Sequence, residues 1–319
     1  MELLISHQSA LEFWRGAPAK EALAGKRSRT KVLPVKAPDS RKLPRENPWG
    51  LTTPLHLLVG DDSARRAADG LRCHIGSGIF PPGSFIQVEP GLTASSPELC
   101  FVQMASELPL VELMMLGYEF CGSYRLDKVS APEQGFRKDI PLTSAVALEA
   151  FVAKATGLKG CKNARKALRF VADGSASPME TALTLLLCLP YRFGGYGLPM
   201  PQLNWRIEVN IAARNISGMS GESKFYGDLY WPEEQIDVEY DSDAHHSTHE
   251  QAEHDSSRRN ALQSAGVAVF SVSRTTIMNT RKTRELAEGL SRLLEKRLRC
   301  PAPEFTLRHF KLRQQLLPR

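Results

Sequence analysis

Acidic and apolar residues alternate along positions 236 to 241, where the sequence runs Ile-Asp-Val-Glu-Tyr-Asp. At the two-residue period of a β-strand, this pattern predicts that Asp237, Glu239 and Asp241 share one face. Three carboxylates on one face can bind a cation or transfer protons. The pattern also fits the solvated face of an edge strand, and the strand alone leaves both interpretations open.

A second strand is predicted at residues 224 to 231, and a polar turn at 232 to 235 joins the two strands. Directly opposed side chains on neighbouring strands lie roughly 5 Å apart, so the turn brings Asp228 back towards Glu239 and Asp241. Two carboxylates about 4 Å apart repel by roughly 4 kcal/mol at an effective dielectric constant of about 20. Such a group either raises the pKa of one carboxyl or accepts a cation, and hard oxygen ligands suit Mg²⁺.

The composition is that of an ordinary globular protein, with 42% hydrophobic and 24% charged residues, and 319 residues leave room for two domains. A net charge of +6 permits a polyanionic partner such as DNA. The six cysteines are scattered without a Cys-x-x-Cys pair, which favours reduced thiols over a disulfide framework. With no apolar leader and no apolar run near about 20 residues, we expect a cytoplasmic protein without a membrane segment.

Residues 1 to 155 carry no motif that indicates chemistry. A short amphipathic helix is predicted around Ser6 to Arg15, and a basic, proline-rich linker continues to about residue 50. The linker is either an arm along a phosphate backbone or, as we prefer, a solvated connection. Strands and helices from 51 to 155 predict a small α/β module, and the turn-rich stretch from 127 to 141 indicates a domain boundary.

From about residue 160 to 299 the predicted elements follow the order α-β-β-β-α-β-α, which indicates a mixed sheet flanked by helices. Glu180 lies at the start of the first long helix and has two interpretations. Ser177 and Glu180 have capping-box spacing, which is a structural role. Alternatively, the helix delivers Glu180 to the acidic strands as a further carboxylate. Residues 300 to 319 are interpreted as a basic tail.

A histidine-rich segment follows the acidic strand. His245 and His249 have the i, i+4 spacing of helical zinc ligands, and His246 and His254 are near them. No cysteine is nearby and the spacing matches no familiar zinc motif, so a zinc site is the less favoured interpretation. We expect His245 at the rim of an active site and the other histidines in solvent.

Several separated motifs then occur in a characteristic order. They are Ser-x-Ser-Pro-x-Glu at 175–180, an aspartate on a strand ahead of a Trp-Pro turn, Val-Glu-Tyr-Asp at 238–241 with His245 four residues on, and Asp255-x-x-Arg258-x-x-x-Leu262-x-x-x-Gly266-Val. Together they resemble the very-short-patch-repair-like branch of the PD-(D/E)XK endonuclease superfamily over about residues 160 to 298. More loosely, the N-terminal module resembles AbiEi-type antitoxin or regulator proteins around Ser96-Pro-Glu-Leu-Cys-Phe101.

The first resemblance implies a restriction-endonuclease-like fold and Mg²⁺-dependent hydrolysis of DNA phosphodiester bonds, with Mn²⁺ as a substitute ion. It implies that Asp228 and Glu239 are metal ligands and that Glu180 is the glutamate of the first helix. Asp241 stands where the superfamily usually has Lys, and Ser242 stands where relatives typically have Gly. Either Asp241 or His245 would accept the proton of the attacking water.

We further expect basic residues of this domain to face phosphate groups. They are Arg258, Arg259, Arg274 and Lys282. An ion pair with Asp255, three residues earlier, explains Arg258 equally well. The N-terminal module would regulate or target the protein, through a homodimer or a partner protein. The competing hypothesis is an inactive DNA-binding, antitoxin-like regulator that keeps the nuclease fold as a scaffold, and repair, defence and mobile-element roles all stay open.

Overall fold

The chain forms two compact units, Met1–Asp173 and Gly174–Arg319, in a computed structural model. The structure describes residues 3–28, 37, 50–65, 69–76, 79–127, 135–209, 224–241, 249–300 and 303–317, and it describes the backbone but not the side chains of residues 249–255. Both units combine helices with β-sheet, which confirms the predicted α/β class. The division between them comes later in the chain than the boundary expected between 155 and 160.

The described strands of the first unit are β1 (Leu3–Ile5), β2 (Lys26–Arg27), β3 (Leu55–Val59), β4 (Leu71–Ile75), β5 (Phe85–Glu89), β6 (Leu92–Ser95), β7 (Tyr124–Leu126) and β8 (Phe136–Lys138). The first six form one sheet in the order β2-β5-β6-β1-β3-β4, and β7 pairs with β8. Strand β1 is therefore central, parallel to β6 and antiparallel to β3. The N-terminal segment, expected to precede the α/β module, instead contributes to its core.

The described helices of the first unit are α1 (His7–Gly16), α2 (Ala19–Leu23), α3 (Pro97–Met104), α4 (Leu110–Cys121), α5 (Ala145–Lys154) and α6 (Cys161–Leu168). Helix α1 confirms the predicted amphipathic helix, and Trp14 on its buried side donates a 2.8 Å hydrogen bond to the Ser95 carbonyl. Helix α3 begins with a side-chain cap, in which Oγ of Ser96 accepts a hydrogen bond from the Leu99 amide. Most of the basic linker, residues 29–36 and 38–49, lies outside the described residues.

Helix α6 explains why the first unit extends to Asp173. The second domain was expected to begin at about residue 160 and so to include this helix, but α6 packs against α4 and α5. Immediately after α6, the chain passes so close to α4 that a Cβ added at Gly117 would lie 2.6 Å from Cγ2 of Val171. Such tertiary contacts leave no local pattern in the sequence.

The described strands of the second unit are β9 (Gln202–Ile207), β10 (Phe225–Trp231), β11 (Ile236–Asp241) and β12 (Ala268–Ser273). They form a mixed sheet in the order β12-β11-β10-β9, with β11 parallel to β12 and the other pairs antiparallel. Because β11 has a neighbour on each side, the edge-strand interpretation of its acidic residues is wrong.

The described helices of the second unit are α7 (Pro178–Cys188), α8 (His249–Ser264), α9 (Arg274–Met278), α10 (Thr280–Leu293) and α11 (Glu304–Leu316). This order confirms the α-β-β-β-α-β-α prediction, with α9 as an additional short helix before α10. Among the described helices, none combines the length and apolarity that a bilayer crossing requires. All six cysteines are free thiols, as predicted.

Helix α11 corrects the interpretation of residues 300 to 319 as a basic tail. Phe305, Leu312 and Leu316 on this helix are buried. Nδ1 of His309 lies 2.7 Å from the Gly194 carbonyl oxygen, which ties α11 to the loop after α7. Although this segment is rich in basic residues, it forms a helix that contributes to the core of the second unit.

Replacing Leu312 with Ala is expected to lower the free energy of unfolding by about 2–5 kcal/mol. The cause is the cavity left by a leucine that is only 1% exposed. Leu307 in the same helix is 58% exposed, and Leu307→Ala should change stability by less than about 0.5 kcal/mol. Urea unfolding of the full chain measures both values, and equal effects would contradict the packing of α11.

Candidate active site

The hairpin of β10 and β11 brings the predicted acidic residues together. Its register pairs Leu229 with Val238 and Tyr230 with Asp237, across the turn predicted at 232–235. This pairing ends at Leu229, and Asp228 is the next residue towards the start of β10. The side chain of Asp228 bonds to the partner strand, because its Oδ2 accepts a 2.8 Å hydrogen bond from the amide of Tyr240.

The Asp228 carboxyl lies in an unusually acidic environment. Burial, followed by the negative charges of Glu180 and Glu239, raises its pKa to about 7, against the opposing effects of the Tyr240 amide and Arg258. The structure therefore brings Glu180 and Glu239 close enough to Asp228 to affect its ionisation, as the sequence predicted.

Glu180 combines the two interpretations that its sequence context allowed. Ser177 caps α7 by accepting a 3.1 Å hydrogen bond from the Glu180 amide. The Glu180 carboxylate reaches back to the amide of Ala176 at 2.8 Å, one residue before the position expected for a capping box. Its Oε2 also accepts a 3.1 Å hydrogen bond from Nδ2 of Asn204 on β9. One carboxylate thus caps a helix, connects it to the sheet and acts electrostatically on Asp228.

Asp237 is the residue whose importance the sequence did not reveal. It is 0% exposed, and neither carboxyl oxygen makes a hydrogen bond of ordinary geometry within the described part of the chain. Burial, with the charges of Glu239 and Asp228, raises its pKa to about 8. A Cβ at Gly227 would lie 2.5 Å from Asp237 Oδ1, so the absence of a side chain there makes room for this carboxyl.

Arg258 on α8 partly offsets the negative charge of these four residues, Glu180, Asp228, Asp237 and Glu239, hereafter the carboxylate cluster. Its Nη1 donates to Oε1 of Glu239 and its Nη2 donates to the carbonyl of Tyr226. The sequence offered phosphate or Asp255 as its partner. In the structure, Arg258 joins α8 to the two acidic strands, and the side chain of Asp255 lies outside the described residues.

Of the remaining predicted site residues, those that the structure describes are not part of this cluster. Asp241 is exposed at the end of β11, and exposed Arg259 donates a 3.1 Å hydrogen bond to Oγ of Ser271. Arg274 and Lys282 are exposed at the beginnings of α9 and α10. His245 and His246 lie outside the described residues, as do the side chains of His249 and His254.

The carboxylate cluster has the donor type that Mg²⁺ requires. Within the described residues, no three of its groups bring ligand atoms within 4.8 Å of one another, which does not suit a cage built from protein alone. Mg²⁺ commonly uses one or two carboxylates and completes its shell with water and phosphate. The buried Asp237 carboxyl, which lacks a hydrogen bond of ordinary geometry within the described residues, is a further indication that a cation fits here.

Comparisons of the chain with models of known protein families, with curated proteins and with solved structures find no match. Its class is therefore argued from the fold and the site. The second unit is a mixed sheet with helices, and its two central strands carry most of the carboxylate cluster. The restriction-endonuclease-like assignment stays a prediction.

The free energy of unfolding of Asp237→Asn, compared with that of wild type at the same pH, is expected to increase as the pH rises. A carboxyl group whose pKa is raised by folding stabilises the folded state fully below its unfolded pKa of about 4. That contribution is lost as the pH rises through the folded value of about 8. The stability difference between variant and wild type should therefore shift by a few kcal/mol, roughly, over this range.

Chemical unfolding in EDTA at several pH values measures this difference. Asp241→Asn is the matched control, because it removes an exposed carboxylate from the same strand. A difference between Asp237→Asn and wild type that does not vary with pH would contradict the raised pKa of Asp237.

Proposed function

We propose that this protein is a metal-dependent endonuclease that hydrolyses DNA phosphodiester bonds with Mg²⁺, or Mn²⁺ in its place. The observation that carries the proposal is the full burial of Asp237, together with half-buried Asp228 and Glu239, beside buried Glu180. Like charges gathered away from water are unfavourable unless protons or a cation compensate them. The order of the motifs supports a restriction-endonuclease-like protein of the very-short-patch-repair-like branch, acting in the cytoplasm.

Asp228 and Glu239 would hold the cation, with Asp237 beside them as a further oxygen donor. Once bound, Mg²⁺ would supply charge stabilisation at the phosphate and lower the pKa of a coordinated water. The Tyr240 amide fixes the orientation of Asp228 through its 2.8 Å hydrogen bond. Arg258 similarly positions the Glu239 carboxylate. These contacts hold both carboxylates in place before substrate binds, which lowers the cost of organising the site.

The attacking water must give up a proton to an acceptor near the metal ligands. Asp241 at the exposed end of β11 is accessible to a water molecule, and it remains our candidate acceptor together with His245. Exposed Arg259, Arg274 and Lys282 would provide positive charge to the DNA backbone.

Wild-type protein is expected to nick supercoiled plasmid in Mg²⁺ or Mn²⁺ but not in EDTA. Glu239→Gln should reduce the rate by at least about 100-fold, because it removes a charged ligand while keeping the side-chain shape. Glu234→Gln, on the exposed turn of the same hairpin, is the matched control and should cleave like wild type. Equal cleavage by wild type and Glu239→Gln would contradict this placement of the site.

A second candidate is a DNA-binding scaffold without nuclease activity. It is favoured by one observation, the ion pair through which Arg258 already neutralises Glu239. A guanidinium in this position can substitute for a metal ion as the counter-charge. No cleavage by wild type in either metal, together with DNA binding that weakens as salt rises, would favour this scaffold over the endonuclease.

A further inference from the structure

Helix α6 in the first unit carries a row of positive side chains. Four basic residues are spaced i, i+3, i+4 and i+7, which places them on one face of the helix. These residues, hereafter the basic stripe, are Lys162, Arg165, Lys166 and Arg169, and all four are exposed. The last of them directly follows α6 and keeps a helical backbone conformation. The opposite side of the helix is buried and consists of Cys161, Ala164, Ala167 and Leu168.

The sequence around the basic stripe supplies no negative charge. Residues 154–172 include six basic residues and no Asp or Glu. This local excess equals the net charge of the whole chain, +6. Residues three or four positions apart are neighbours on a helix, and like charges at this spacing destabilise it. The stripe is therefore unfavourable unless negative charge from outside this segment compensates it.

The ion pairs of the described residues do not provide that compensation, because none of them includes a residue of the stripe. Arginines on other helices are arranged differently. On α10, Arg281 and Arg284 are each paired with a glutamate four residues later. On α11, Arg308 is paired with a glutamate four residues earlier. The contrast indicates that the positive charge of α6 is available to an external partner.

Contacts with α3 hold α6 in place. Gly160 precedes α6, and a Cβ added there would collide with the carbonyl oxygen of Val102. The φ angle of Gly160 is 100°, in the left-handed region that favours glycine. In the first turn of α6, Nδ2 of Asn163 donates a 3.1 Å hydrogen bond to the carbonyl of Ala105. The basic stripe is therefore presented on a backbone that a ligand need not order.

An open groove lies beside the first residues of the stripe. Its volume is about 570 Å³, and it is lined by residues 156–163 together with Ser106 and Arg165. Among the described residues that line it, Lys159, Lys162 and Arg165 are basic and none is acidic. The groove has room for a phosphate group, and Lys159 extends the positive surface beyond the start of α6.

The length of the stripe suits the backbone of a nucleic acid. The helix rises 1.5 Å per residue, so the stripe is about 10 Å long. One strand of duplex DNA has a phosphate for about every 3.4 Å of its axis. The stripe can therefore face about three phosphates of one strand.

Other partners of a positive surface fit less well. Residues 154–172, all of them described, include no large apolar side chain that is exposed. Helices that bind a membrane surface insert apolar side chains between the lipids. Protein interfaces bury apolar and aromatic anchors at their centre. A row of phosphates needs only the positive charge that the stripe provides.

We propose that the basic stripe and Lys159 bind the phosphate backbone of duplex DNA, whatever its base sequence. This contact goes beyond the proposed active site because it belongs to the first unit. The choice of DNA over duplex RNA rests on the proposed function. The positive surface itself does not require nuclease activity.

The test measures binding of the full-length chain to a short labelled DNA duplex by fluorescence anisotropy over a series of salt concentrations. EDTA is present throughout, which prevents metal-dependent cleavage. The double variant Lys162→Gln/Lys166→Gln should bind at least about 10-fold more weakly than wild type, and the slope of log K against log salt should become shallower by about 2. The physical reason is the loss of two phosphate contacts.

The double variant Lys20→Gln/Lys26→Gln is the matched control, because it removes two exposed lysines elsewhere in the same unit. It should bind DNA like wild type. All four lysines are exposed, so both variants should fold, and thermal unfolding checks this. Removal of like charges from α6 should leave the stability of the stripe variant undiminished.

Equal weakening of DNA binding in both double variants would mean that only net charge matters, and it would overturn the proposal. Unchanged binding in the stripe variant would also overturn it, and would leave an acidic protein surface as the occupant. Tighter binding of wild type to duplex RNA of the same sequence would overturn the assignment to DNA. Binding that depends on the stripe in EDTA, without cleavage in Mg²⁺, would support this inference and contradict the proposed function.

Discussion

Burial of like charges within one small sheet constrains much of the second unit. Asp237 has no exposed surface, and it lies near Glu239 and Asp228. Three features accommodate this group: Gly227 leaves space for the Asp237 carboxyl, the Tyr240 amide bonds to Asp228, and Arg258 reaches from α8 to Glu239. The Tyr240 amide thus bonds to a side chain, and the Arg258 guanidinium bonds to Glu239.

The same charges can be compensated by protons or by a cation, and the two compete. Burial and mutual repulsion raise the pKa of Asp228 to about 7 and that of Asp237 to about 8, so protons are retained near neutral pH. A divalent cation would displace those protons, because only the ionised carboxylates are good ligands. Metal affinity at this site is therefore tied to pH by the burial that makes the carboxylates unusual. Arg258 weakens both the retention of protons and the affinity for a cation, because it supplies one permanent positive charge.

Local patterns in the sequence were sufficient for much of the fold but not for its boundaries. The β10–β11 hairpin and the cap at Ser177 were predicted because strand alternation, turn residues and capping residues act over a few positions. Strand β1 was missed, since three residues are too few to show a period. Helix α11 was missed because basic residues alternate with its buried Phe305 and Leu312. The correct limit of the first unit depends on how α6 packs against α4, which no short window contains.

The carboxylate cluster and a histidine contact in the first unit differ in how sequence separation relates to spatial proximity. Glu239 and Asp237 are two residues apart, and one short turn returns Asp228 to them, so an alternating pattern is enough to bring these carboxylates together. The sequence still left open whether they were buried, because the same alternation occurs on exposed strands. The rings of His7 and His74 stack only through the pairing of β1 with β3 and of β3 with β4, across about 70 residues that carry no common motif. A contact assembled by sheet order cannot be predicted from motif spacing, and it can be recognised only once the positions of the strands are known.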